Sequence, residues 1–109
     1  PLQRILFFMV DRFNDVALLS ALWQEHQTAD WPVGGDLNEG PLMSLDTVVA
    51  GCITYYFEEL GLDEQRVGIL NDCLADLENL TSDLEADSEA YFERLQRLGK
   101  LLLEINRPE

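Results

Sequence analysis

Residues 4–23 read RILFFMVDRFNDVALLSALW, and the fold class turns on how the first seven are taken. Alone, RILFFMV is short, apolar and rich in β-forming residues, the pattern of a buried strand. The residues after it decide for helix. Ile5, Met9, Phe13 (or Arg12), Val16, Leu19 (or Ser20) and Trp23 recur every three or four positions with no breaker between them, which is the period of one helical face. The spacing predicts a first helix over residues 2–29. Leu6, Phe7, Phe8 and Val10 make its first turns apolar nearly all round, which implies burial on two sides or an apolar surface offered to a partner.

The next stretch, DWPVGGDLNEGPLM at 30–43, breaks that period. Pro32 biases Trp31 away from helix, and Gly34-Gly35 and Gly40-Pro41 punctuate the remainder. At fourteen residues it exceeds the usual helix–helix connection of ~2 to 8. It reads as an ordered crossover loop with Leu37, Leu42 and Met43 anchored on the body.

A second helix is expected over 45–60. Ser44 is its N-cap and Asp46 lies in its first turn, where negative charge meets the positive end of the helix dipole. Leu45, Val49, Cys52, Tyr56 and Leu60 form one face, and Val48, Ile53, Tyr55 and Phe57 make most of the rest apolar, so this helix is expected to be central. Gly61 suits the left-handed position that stops it. Asp63 caps a third helix over 63–80, with its face on Val67, Leu70, Cys73 (or Leu74), Leu77 and Leu80 (or Leu84). The cap-forming run NLTS breaks the chain again, although periodicity alone also allows helices three and four as one kinked helix. Ser82 and Glu85 fit a capping box that opens a fourth helix over 83–106, its face on Tyr91, Leu95, Leu98, Leu102 and Ile105. The expectation is therefore an all-α single domain over 1–109, a bundle of about four amphipathic helices with one long ordered loop after the first.

Charge narrows the function classes. The chain has 21 acidic and 7 basic residues, a net charge of −14. From Asp30 to Glu93 there are sixteen acids and a single base, Arg66. Such a field repels nucleic acid and anionic lipid and attracts basic partners. No stretch approaches the ~18 apolar residues of a membrane span, and ILFFMV runs straight into Asp11-Arg12 with no secretory cleavage pattern. Cys52 and Cys73 lie on apolar helical faces without metal spacing. They read as buried free thiols of a reducing compartment, which points to the cytoplasm.

Catalytic chemistry is poorly supplied. His26 is the only histidine; Asp30 lies four residues on and Glu25 beside it, so it reads as a surface histidine paired near a helix end. No His-x-x-x-His, Glu-x-x-His or Cys-x-x-Cys is present, and VGGDLNEG lacks the Lys-Ser/Thr of a phosphate loop. No cofactor, metal site or catalytic residue is expected. Carboxylates recur instead: Asp72 and Asp76, Asp83 and Asp87, and the run Glu85, Glu89, Glu93, with Glu78 between. On facing helices such acids can hold magnesium in an all-α nucleotide hydrolase, but the run points away from the apolar face of its own helix. The leading expectation is a non-enzymatic acidic module that docks a basic protein (an inhibitor, immunity-type or adaptor protein, or a nucleic-acid mimic). Its contact residues are Trp31, Asp72, Asp76, Asp83, Glu85, Asp87, Glu89 and Glu93. A divalent-cation-dependent hydrolase is the enzymatic alternative. A self-associating protein, dimeric through the apolar surfaces of helices one and two, is the third.

Overall fold

A computed structural model of the chain describes residues 2–32, 39–82, 84 and 86–107. Four helices follow in order: α1 (Leu2–Thr28), α2 (Glu39–Glu59), α3 (Glu64–Leu80) and α4 (Ala86–Asn106). The described residues contain no strand. RILFFMV is thus the first two turns of a 27-residue helix.

The helix starts and stops follow local chemistry. The Asp63 carboxylate accepts from the Arg66 backbone N–H at 2.8 Å and also pairs with the Arg66 guanidinium, satisfying a free donor at the start of α3. Thr81 ends α3; its N–H and its hydroxyl both donate to the Leu77 carbonyl, so α3 and α4 are separate helices rather than one kinked helix.

Several expected boundaries change, and α4 begins at Ala86 rather than at 83, with Leu84 outside the helix. α2 begins at Glu39, so residues 39–43 belong to its first turns and not to the loop, and Ser44 lies within the helix instead of capping it. Pro41 permits this because the first helical turn needs no backbone donors. Leu42 is fully buried, whereas Met43 is exposed rather than anchored; Leu37 and the rest of 33–38 lie outside the described residues. At the other end, Leu60 itself takes the left-handed conformation (φ 59°), its N–H donating to the Tyr56 carbonyl at 2.6 Å. Gly61, expected in that role, has no positive φ.

α4 is the central element. Its predicted face, Tyr91, Leu95, Leu98, Leu102 and Ile105, is buried throughout, together with Phe92. α1 packs along one side of it, α3 along the other, and α2 closes the core over both α3 and α4. α2 is therefore part of the core rather than its centre. Replacing any of the fully buried leucines of α4 by Ala should cost about 2–5 kcal/mol. α3 approaches α4 closely at Gly99, where an added Cβ would fall 2.6 Å from a methyl of Leu74. The Asn106 side chain ties the α2–α3 corner to the end of α4, accepting from Leu62 N–H at 2.8 Å.

α1 runs antiparallel to α4. Arg12 donates to the Ile105 and Arg107 carbonyls at one end, and Arg94 meets His26 at the other. The inward face of α1 carries Leu19, Leu22 and His26, flanked by Val16 and Trp23. Phe13, named as the first choice for that face, is instead 74% exposed, and Arg12 takes the inward direction because it reaches the open carbonyls at the end of α4.

Candidate functional site

The most concentrated chemistry lies where α1, α2 and α4 meet. His26 was expected at the surface, near Asp30 and Glu25. It is buried, its side chain 4% exposed, and its partner is Asp46 of α2: Nε2 lies 2.8 Å from Asp46 Oδ1. The Tyr91 hydroxyl donates to Asp46 Oδ2 at 3.1 Å. Arg94 Nε donates to His26 Nδ1 at 3.2 Å, and the same guanidinium lies 3.6 Å from Glu25. Because an arginine Nε only donates, Nδ1 must be an acceptor, so the ring carries its proton on Nε2 and donates it to Asp46. Trp23 stacks near the imidazole (6.2 Å, 22°), and Tyr91 tilts against it at 4.5 Å.

The imidazole and the Tyr91 hydroxyl are thereby both partnered, and no described buried side-chain polar atom in the protein lacks a partner. Burial, reinforced by the charge and hydrogen bond of Asp46, holds the Tyr91 phenol well above its ordinary range, with Arg94 opposing. Tyr91 is thus fixed as a proton donor to Asp46. A His–Asp pair supplies two of the three members of a nucleophile-activating triad. Here, however, both ring nitrogens are occupied by protein groups, and the one hydroxyl present already serves Asp46. As arranged, the cluster holds three helices in register; accepting a proton from a substrate would require Arg94 to leave.

Trp31 extends the cluster. Its ring meets Tyr91 and Phe92 edge-on, with centroids 5.4 and 5.5 Å away, and its Nε1–H donates to Glu39 at 3.2 Å. It therefore covers the start of α4 and joins the two ends of the 33–38 segment.

The carboxylates fall elsewhere. Asp72 and Asp76 are exposed on α3, and Glu89 and Glu93 are exposed on α4. Glu89, Glu93, Thr81 and Gln96 line a shallow cleft of about 220 Å³. Asp72 and Asp76 are not part of it, since α3 turns Val67, Asn71 and Leu74 toward α4 and the next residue is ~100° further round. Neither pair is joined to Trp31. The expected contacts Asp83 and Glu85 lie outside the described residues, as does the side chain of Asp87. A second cleft, of about 540 Å³, lies between the start of α3 and the end of α4, lined by Leu62, Val67, Leu103 and Arg107 among others. Among the described residues no group of three or more His, Cys, Asp or Glu is placed to hold a metal ion.

Cys52 and Cys73 are both free and buried. Burial, with smaller contributions from Cys52, Asp76 and Asp46, pushes the Cys73 thiol up to about 11, and burial raises Cys52 against the pull of Arg66. Neither is an activated nucleophile. Among the described residues no helix is long and apolar enough to cross a membrane.

No local pattern pairs Asp46, Tyr91 or Arg94 with His26. The separations along the chain are 20, 65 and 68 residues, and only packing brings them together. A signal did exist for part of it: Asp46 and Tyr91 are polar groups next to predicted core positions, and such groups require partners. Comparison with protein-family models, curated proteins and solved structures finds no match to this chain.

Proposed function

We propose that the chain is a non-enzymatic acidic binding module that docks a basic protein surface, in the manner of an inhibitor, immunity-type or adaptor protein. The observation that carries this reading is the set of exposed carboxylates on α3 and α4. Asp72, Asp76, Glu78, Glu89 and Glu93 all face solvent, and none is paired with a basic group among the described residues. Unpaired like charges raise the on-rate for a basic partner and reject anionic ones, nucleic acid and anionic membrane included. Trp31 adds only the part of its ring that solvent still reaches. The buried free thiols suit a cytoplasmic setting.

The test is affinity capture from the source cell, followed by salt titration of the identified partner against the wild type and a quadruple charge reversal (Asp72, Asp76, Glu89 and Glu93 to Lys). The expected partner is basic, binds more weakly as salt rises, and is lost with the reversal. A partner whose binding ignores both salt and the reversal would defeat the proposal.

A further inference from the structure

The outward side of α1 is unlike the rest of the molecule. At ~100° per residue, Leu6, Val10, Phe13, Ala17, Ser20 and Gln24 form one stripe opposite the buried Leu19, Leu22 and His26. Their spacing is 4-3-4-3-4, the seam of a helix that pairs with another helix. Leu6, Val10 and Phe13 are 52%, 55% and 74% exposed, and Ala17 and Gln24 are also exposed. The stripe carries no charge: Arg4, Asp11, Arg12, Asp15 and Glu25 all lie off it. Since Arg12 lies opposite the end of α4, residues 2–11 project roughly 15 Å beyond it. This contributes to the 55 Å length of a molecule only 25 by 24 Å across.

We infer that this stripe is an isologous dimer interface, with α1 of one copy lying antiparallel along α1 of a second. Two features select a second copy over other occupants. The first is shape: large apolar residues (Leu6, Val10, Phe13) fill the amino-terminal half of the stripe, and the small Ala17 and Ser20 follow them before Gln24. An antiparallel two-fold centred between Phe13 and Ala17 sets Phe13 against Ala17, Val10 against Ser20 and Leu6 against Gln24 of the second copy. Large thus meets small at the Phe13–Ala17 and Val10–Ser20 pairs, with the uncharged Leu6–Gln24 pair at each end of ~28 Å of helix. The second is charge. Two bodies of net −14 repel wherever carboxylates meet, and this uncharged stripe lets them approach without that cost. The same neutrality gives a basic partner nothing to grip, and the absence of Lys or Arg from the stripe gives an anionic bilayer none either. The inference is independent of the docking role assigned to α3 and α4.

Sedimentation equilibrium of the full chain, wild type and Phe13→Asp, tests it. The wild type should approach twice the 12.4 kDa chain mass as concentration rises. Phe13→Asp should keep its helical circular dichroism, because the residue is exposed, and dimerise at least about thirtyfold more weakly. Ala17→Glu, at a second exposed position, should do the same if the first variant folds poorly. Under oxidation, a mixture of Phe13→Cys and Ala17→Cys chains should form more cross-linked heterodimer than either alone gives homodimer. A wild type that stays monomeric overturns the inference, including one that co-sediments with anionic vesicles instead. A dimer indifferent to both charged variants overturns it as well.

Discussion

Replacing Asp46 with Ala removes the acceptor on which His26 and Tyr91 converge. The carboxylate accepts two hydrogen bonds, at 2.8 and 3.1 Å. Bonds to a charged group each contribute about 1.5–3 kcal/mol, and a buried donor left without an acceptor bears the desolvation cost instead. Asp46 is itself 23% exposed, which places the pair near the bottom of that range. The His26 side chain is almost fully enclosed, so its Nε2–H has no water to turn to. The expected loss is about 3 kcal/mol, or roughly 10–20 °C in melting temperature for a domain of this size. Tyr91→Phe, which breaks one bond and leaves an oxygen that solvent can reach, should cost about 1 kcal/mol. Asp46→Asn should fall between, since its amide NH2 opposes one of the two donors while its oxygen serves the other. Urea unfolding at neutral pH, followed by circular dichroism with an unchanged denaturant slope, measures all three. A loss below about 0.5 kcal/mol for Asp46→Ala would refute the reasoning, since that is the scatter of an ordinary surface substitution. A double-mutant cycle with His26→Ala should give a coupling above about 0.5 kcal/mol; additivity would show that the 2.8 Å contact does not stabilise the fold.

Leu60→Gly should stabilise the protein by about 1 kcal/mol, because a left-handed leucine that is 80% exposed loses strain and gives up little packing; a destabilised variant in the same urea assay would contradict the φ of 59°. Trp31→Ala should cost about 2 kcal/mol through lost edge-on contacts with Tyr91 and Phe92, and unchanged stability would mean that the ring is not seated on α4. Gly99→Ala should destabilise the wild type by about 1 kcal/mol, since overpacking against Leu74 outweighs better helix propensity, yet stabilise a Leu74→Ala background; the same sign in both backgrounds would rule out the close α3–α4 crossing. Stability should fall as pH rises from 9 toward 11. There the unfolded chain gives up the Cys73 proton near its ordinary 9.0 while the folded thiol holds it to about 11, so the unfolded state binds fewer protons. Tyr91 adds to the same slope above 10. Cys73→Ala should flatten the fall, and an equal slope in that variant would exclude Cys73 as its source.

Local signals account for much of the fold. The α4 face was legible because five apolar residues at 4-3-4-3 spacing have only one helix face on which to lie. Asp63 and the break after Leu80 were legible because capping is a contact between residues a few positions apart. Reasoning from residue type failed at Gly61, because a neighbouring leucine took the left-handed position, and at Pro41, because a helix start tolerates the residue that a loop also favours. His26 was misplaced for a different reason. Its nearest acids in sequence, Glu25 and Asp30, suggested local pairing, while the carboxylate it meets lies twenty residues away on another helix.

The sequence by itself therefore determined four helices, most of their apolar faces and a strongly acidic surface, because each depends on spacing or composition within one segment. Only the tertiary structure decided that α1 lies against α4. It also decided that Arg12 and not Phe13 turns inward, that Trp31 covers Tyr91 and Phe92, and that His26, Asp46, Tyr91 and Arg94 form one closed network. These are choices among helix faces and neighbours. They are settled by which packing buries the most apolar surface while leaving no polar group without a partner, a balance that no single segment contains.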